Sequence, residues 1–305
     1  MADASRRLVR KLNKLSLAVL PRALGKPLSH WLRGQEDQRR FRQADLVVLS
    51  HAKSGRTWLR VMISRLFQLR YGLPSDELME FGNYQDHNSA IPKVLFTHGN
   101  YLGPLFEEHQ DGAGVKRPKV VLLVRDPRDI AVSQYFHFVK RTKPYKRELE
   151  NMDREGDLPI FEFVVESPKG LPEIIGYLNR WVDRLDGRKD ALIVSYEALR
   201  AEPQENLAQI CRFLELDFDD REIQEAVEFA SFEKMQEAER TGFFDNSRLT
   251  PGDPDDPESF KVRRAVVGGF QDYFSADQLE QINALVHQKL TPRVVKDLPT
   301  YSAAL

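Results

Sequence analysis

Two short segments concentrate the side chains that could do chemistry. The first is Ser50-His51-Ala52-Lys53-Ser54-Gly55-Arg56-Thr57-Trp58. It stands between an apolar run and a stretch with helical periodicity. A strand, a tight loop and a helix start leave backbone amides unpaired and aim the positive helix end at one point, which makes an anion site. Lys53 adds a point charge, and Ser54, Arg56 and Thr57 add donors. The common nucleoside-triphosphate loop places a Gly, four residues and then Gly-Lys-Ser/Thr; here Lys53 precedes Gly55 and no earlier Gly is present. The competing reading is a polar helix cap with a surface lysine. The second segment is Arg125-Asp126-Pro127-Arg128-Asp129, with Ser133 on the helix that should follow. An Arg leaving a buried strand end and a Ser on the adjoining helix can grip a phosphate from two sides. An ion pair of Arg125 with Asp126 or Asp129 is the competing reading.

These residues need elements to hold them. Residues 45–50 (DLVVLS), 93–97 (KVLFT), 119–124 (KVVLLV) and 191–195 (ALIVS) are short apolar runs, read as buried parallel strands. Helical patterns fill residues 57–71, 173–185, 202–214, 220–230 and 275–290, and a further helix runs from Pro127 to about residue 141, with Asp126 as N-cap and Pro127 at the first position. Ser275 and Gln278 have capping-box spacing. Residues 241–259 are rich in Gly, Pro, Asp and Asn and read as a mobile loop. Strands alternating with helices predict an α/β fold: a central parallel sheet flanked by helices in a three-layer sandwich.

The chain has 305 residues, 41% hydrophobic and 30% charged, with a net charge of −1, which gives no global push toward nucleic acid. Cys211 is the single cysteine, so no intrachain disulfide forms, in keeping with a reducing, cytoplasmic setting. No apolar run nears the roughly 20 residues of a membrane span, and the N-terminus lacks the features of a secretory signal. Charge is nonetheless uneven: up to Arg42, eleven Lys and Arg against three acids give +8. Leu8, Leu12, Leu15 and Val19 lie at helical spacing among these cations, a basic amphipathic helix limited by Pro21. It either packs on the body with a solvated basic face or makes peripheral contact with an anionic membrane. The organisation read from this is a basic helical extension over 1–43, a domain over 44–290 and a tail over 291–305.

Taken together, Lys53-Ser54-Gly55-Arg56-Thr57-Trp58 and Arg125-Asp126-Pro127-Arg128-Asp129 with Ser133 and Tyr135 resemble, in order and separation, the 5′-phosphosulfate loop and the 3′-phosphate motif of the sulfotransferases that use 3′-phosphoadenosine 5′-phosphosulfate (PAPS). Further segments are similar: Thr97-His98 after the second strand, Ser195-Tyr196-Glu197 after the fourth, Ser231-Phe232-Glu233-Lys234-Met235, and a late Arg263-Arg264-Ala265 loop, over roughly residues 44–290. The resemblance implies a P-loop-like fold, PAPS as co-substrate with 3′,5′-ADP as product, and no metal. It implies that His98 is the general base and that Lys53 meets charge on the leaving oxygen. Ser54, Gly55, Arg56 and Thr57 with the loop amides would hold the 5′ side, and Arg125, Ser133, Arg263 and Arg264 the 3′-phosphate. Trp58, Tyr196, Phe232 and Met235, with Ser231 and Ala265, would border the adenine and the closing loop, although core packing alone also explains the aromatics. Ala265 replaces the family's usual Gly, and Phe96 stands where many members carry Lys. His51, His87, His109 and His137 lack the Thr-His context, though His51 borders the loop. The acceptor, a small molecule, glycan or lipid, is expected to meet loops 73–92, 142–158 and 241–260. A P-loop kinase and a non-catalytic binding protein of the same fold are the alternatives; Lys53 and His98 both being present speaks against the second.

Overall fold

A computed structural model describes residues 22–107, 117–142, 158–244, 249–296 and 298. Four strands, β1 (Leu46–Ser50), β2 (Val94–Thr97), β3 (Lys119–Val124) and β4 (Ala191–Ser195), pair in the order β2-β1-β3-β4, all parallel. The helices of most use here are α1 (Arg22–Gln43), α2 (Arg56–Tyr71), α3 (Pro127–Phe136), α4 (Leu171–Leu185), α5 (Pro203–Phe213), α6 (Asp220–Phe229), α7 (Phe232–Thr241) and α8 (Ala276–Lys289).

Strand alternation divides the core into two layers. Val47, Leu49, Val120, Leu122 and Val124 face one side and pack with Ile130 of α3, Ile174 and Leu178 of α4, and Ile282 and Val286 of α8. Leu46, Val48, Val121 and Leu123 face the other and pack with Leu59 and Met62 of α2, Leu207 and Ile210 of α5, and Ile223 and Ala226 of α6. The parallel α/β sandwich read from the sequence is therefore the observed fold. Asp126 caps α3 by accepting from the Arg128 amide at 2.9 Å, and α3 continues as a π-helical turn over His137–Arg141. Ser275 and Gln278 make the expected capping box.

Three segments add to or differ from expectation. The helix expected at residues 8–19 lies outside the described residues; a further helix not read from the sequence, α1, begins directly after Pro21 with Pro27 inside it. α1 is held on the body by Phe41 against Phe106, ring centroids 5.1 Å apart, and by a His30–Tyr101 hydrogen bond of 3.0 Å. The described residues beyond 290, 291–296 and 298, are not detached from the body: Val294 and Leu298 are fully buried in the layer beside α4, because two apolar side chains there complete that core. The loop at 241–259, within its described part, buries Phe244, Leu249 and Ser259. Arg141 donates to the carbonyls of Thr250 at 2.9 Å and Ser259 at 2.8 Å, so turn residues here shape a fastened loop.

Candidate active site

β1 is flanked by β2 on one side and β3 on the other, so chain direction across the sheet reverses between β1 and β3, and ligands of open α/β sheets bind at the carboxyl ends of the strands at such a point. The loop after β1 and Arg125 after β3 emerge together there. Arg125 Nη1 donates to the Lys53 carbonyl at 3.0 Å, which joins the two motifs physically.

The loop is tightly wound. Lys53 and Gly55 both have positive φ, 69° and 91°. A Cβ on Gly55 would lie 2.6 Å from Tyr196 Cδ2, so only glycine fits. No side chain caps α2 at Gly55, leaving the first amides of α2 open to a ligand. Ser54 Oγ is buried without a hydrogen-bond partner, and so is Arg125 Nε. Buried orphan donors of this kind mark a site built for oxygens that come from elsewhere.

These groups line a cavity of about 420 Å³ whose wall, among the described residues, carries eight Lys and Arg side chains and a single acid, Asp129. That imbalance suits a ligand bearing several negative charges. Burial, and then the guanidiniums of Arg141, Arg125 and Arg263, pull the Lys53 ammonium down to about 7, while Glu239 acts in the opposite direction. Asp129 is pushed up by burial, against the opposing pull of Arg125 at 3.5 Å. It also accepts from the amides of Gly268 at 2.9 Å and Phe270 at 3.1 Å, tying α3 to the late loop. The ion pair of the competing reading thus exists at Asp129, whereas Asp126 is taken by Arg128 at 2.6 Å.

His98, just after β2, accepts a 2.7 Å hydrogen bond at Nε2 from Arg56, while its Nδ1 lies 3.0 Å from the Ser50 carbonyl. A carbonyl only accepts and a guanidinium only donates, so the ring is neutral with its hydrogen on Nδ1. Burial, with Arg56 next, holds this imidazole well below its usual value. Phe96 brings no cation to the site; its ring lies beneath Arg60, 4.3 Å from the guanidinium.

On the opposite wall Trp58 and Tyr196 meet edge to face at 5.9 Å, and the Trp58 indole donates to the Ala230 carbonyl at 2.8 Å. Arg125 lies over the Tyr196 ring at 4.3 Å. Phe232 and Met235 of α7 join them. Arg263 reaches Glu258 at 2.8 Å and covers Phe136 at 4.2 Å, and Arg264 pairs with Asp272. Ala265 adopts φ 51°, the left-handed conformation suited to glycine.

Of the residues singled out in the sequence, the cavity gathers Lys53, Gly55, Arg56, Thr57, Trp58, His98, Arg125, Ser133, Tyr196, Phe232, Met235, Arg263, Arg264 and Ala265. Ser54 lies behind the wall with its hydroxyl buried, and Ser231 is turned to capping α7, accepting from the Lys234 amide at 3.4 Å. His51 and His137 are in the wall as well. Arg141, Arg200 and Lys261 escaped notice. Arg141 and Arg200 had a signal in periodicity, since Ser133, His137 and Arg141 are spaced by four, as are Tyr196 and Arg200; Lys261 had none. Among the described residues no group of three or more His, Cys, Asp or Glu gathers as a metal site, and no helix is long and apolar enough to cross a membrane.

Comparison with known proteins agrees with this geometry. The family model described as a sulfotransferase domain matches residues 110–292. Sulfotransferase 6B1 of Danio rerio is 25% identical over 263 residues, 82% of this chain and 79% of that protein. Cytosolic sulfotransferase 12 of Arabidopsis thaliana is 24% identical over 83% of this chain and 79% of its own. A crystal structure of a mouse sulfotransferase complexed with PAP superposes with a TM-score of 0.54 at 20% identity, covering 82% of this chain and 86% of that one. That of a retinol dehydratase with androsterone and PAP gives 0.51 at 17%, covering 85% of each chain. With a parallel sheet and more than half of its length matched by the family model, the chain belongs to the sulfotransferase domain family.

Proposed function

We propose that the protein transfers the sulfuryl group of PAPS to an acceptor hydroxyl or amine by in-line displacement, with His98 as general base. The observation that carries this reading is the 3.0 Å bond from Arg125 to the Lys53 carbonyl, which sets both anion-binding motifs on one cavity of a size and charge suited to a nucleotide with phosphates at two ends. Ser54 Oγ and Arg125 Nε, buried without partners, fit its oxygens. Arg125, Ser133, Arg263 and Arg264 would hold the 3′-phosphate, and Ser54, Thr57 and the α2 amides the 5′-phosphate. Trp58, Tyr196, Phe232 and Met235 would enclose the adenine. As the acceptor oxygen bonds to sulfur, His98 Nε2 takes its proton and the sulfur–oxygen bridge breaks. Lys53 meets the charge left on the 5′-phosphate. Positioning and charge stabilisation supply most of the rate in such a displacement, and a general base adds about 10²–10⁴.

Thermal melting tests the reading. 3′,5′-ADP is expected to stabilise the protein and ATP with Mg²⁺ is not; ligand at 100 times its Kd adds about 2.7 kcal/mol. The reverse pattern would favour a kinase. His98→Ala should keep the 3′,5′-ADP shift and lose most turnover of labelled PAPS with an acceptor extract; unchanged turnover removes His98 from its role.

A second element concerns the acceptor's location. Leu24, Leu28 and Trp31, on one face of α1, are 62%, 38% and 60% exposed, in a segment whose net charge is +8. Apolar side chains among cations fit an anionic lipid surface. The cytosolic relatives and the single Cys211 support a cytoplasmic protein that docks there to reach a lipid or glycolipid. Co-sedimentation with phosphatidylcholine vesicles, with and without phosphatidylglycerol, should show binding only to the anionic set, weakened by Leu24→Ser with Trp31→Ser; equal pelleting with both vesicle types would end the idea.

A further inference from the structure

The Arg56–His98 bond is at odds with a base ready to work. A base needs a free lone pair, and His98 Nε2 spends its lone pair on a guanidinium 2.7 Å away. The other nitrogen is committed to the Ser50 carbonyl at 3.0 Å. In this arrangement neither nitrogen can accept a proton from water or from an acceptor. Arg56 is the first residue of α2, beside the phosphate loop, and its side chain lines the same cavity. The long side chain carries several donors that act as a fork on tetrahedral oxyanions.

We propose that Arg56 is a catalytic residue with two successive partners. With PAPS bound and no acceptor, it masks His98 Nε2 and suppresses hydrolysis. In hydrolysis a water oxygen would bond to sulfur, the bridge to the 5′-phosphate would break, one water proton would go to Nε2, and hydrogen sulfate and 3′,5′-ADP would leave. When an acceptor seats against His98, its hydroxyl replaces the guanidinium at Nε2, and Arg56 swings to the sulfuryl oxygens. The same movement removes a positive charge from the imidazole and makes it a better base at the moment it is needed. His51 and Lys261 also face His98, from the phosphate loop and the late loop, and push its protonation in the same direction more weakly than Arg56. The inference rests on the sulfotransfer reading above.

Two measurements test it. Nuclear magnetic resonance of the ring signals of His98, without nucleotide, follows its protonation: the midpoint should rise in Arg56→Met and stay low in Arg56→Lys, which keeps a cationic donor. Release of labelled sulfate from PAPS alone, at saturating PAPS, should increase at least about tenfold in Arg56→Met, as expected for unmasking part of a general base's contribution. The increase should vanish when His98→Ala is added. An unmoved midpoint, unchanged hydrolysis in a variant still stabilised by 3′,5′-ADP, or a rise that survives His98→Ala overturns the proposal. If Arg56→Met does not fold, Arg56→Gln supplies the same two readouts. The resonance arm contains no nucleotide, so its failure strikes Arg56 alone, whereas loss of 3′,5′-ADP stabilisation in the unaltered chain strikes the sulfotransfer reading.

Discussion

Lys53 should make nucleotide binding depend steeply on pH. In the open site its ammonium, held down first by burial and then by Arg141, Arg125 and Arg263, has a pKa of about 7, so it is mostly neutral above that. A bound phosphate restores the charge, and binding above neutrality therefore takes up a proton. A group of pKa about 7 that stays charged in the complex weakens binding by roughly 25-fold between pH 7.5 and 9.0, or about 1.9 kcal/mol. This window avoids protonation of the ligand's own phosphates, which begins near pH 6. Titration calorimetry with 3′,5′-ADP in buffers of different ionisation enthalpy measures both quantities: uptake approaching one proton at pH 8.5 and a Kd that rises with pH. Lys53→Arg, always charged, should bind without either dependence. A Kd that changes less than threefold across the window, or proton uptake equal in both proteins, would refute the assignment.

Three other outcomes follow from the same contacts. Arg125→Ala should lower affinity for 3′,5′-ADP by about 2–3 kcal/mol and leave 5′-AMP binding nearly unchanged, because charge-assisted bonds to the 3′-phosphate are lost; equal losses for both ligands would place Arg125 elsewhere. Gly55→Ala should abolish 3′,5′-ADP binding with the fold intact by circular dichroism, since the new Cβ meets the Tyr196 ring at 2.6 Å. Glu197, pushed up to about 7 by burial, has Oε2 buried without a partner while Oε1 accepts from the Asp126 amide at 2.9 Å. An acid raised in the folded state costs stability above its unfolded pKa of about 4.5, fully so above 7. Glu197→Gln should therefore gain up to about 3 kcal/mol at pH 8, and the gain should disappear as pH falls below 4.5, in denaturant melts at both values.

The fold was legible because buried parallel strands are short continuous apolar runs, and β3 was read to the residue. The two segments that meet at the cavity were legible because loops at strand ends keep their residues contiguous. What escaped depends on partners far apart in sequence. Glu239 is an unremarkable acid of α7 in the sequence; only folding places it, fully buried, against Arg141. Val294 and Leu298 lie in a polar stretch, and only the groove beside α4 makes them core. Ser231 carried a motif's spacing, yet a Ser ahead of a helix also suits capping, and that local demand decided its orientation. The Arg56–His98 contact joins the start of α2 to the loop after β2, 42 residues apart, and no pattern announced it.

The Glu239 carboxylate accepts from the amides of Lys261 at 2.7 Å and Val262 at 2.9 Å as well as from Arg141 at 2.7 Å. This knot gives the strap that follows a fixed root and an adaptable crown. The crown's arginines, Arg263 and Arg264, rest on Glu258 and Asp272, both partly open to water. The Arg264–Asp272 pair is exposed, and such pairs are worth about 1 kcal/mol or less, so under the proposed function Arg264 would exchange its carboxylate for a phosphate at small expense. Under the proposed function, nucleotide would come and go by a change of partners at the rim, without unfastening the root that keeps the late loop in register.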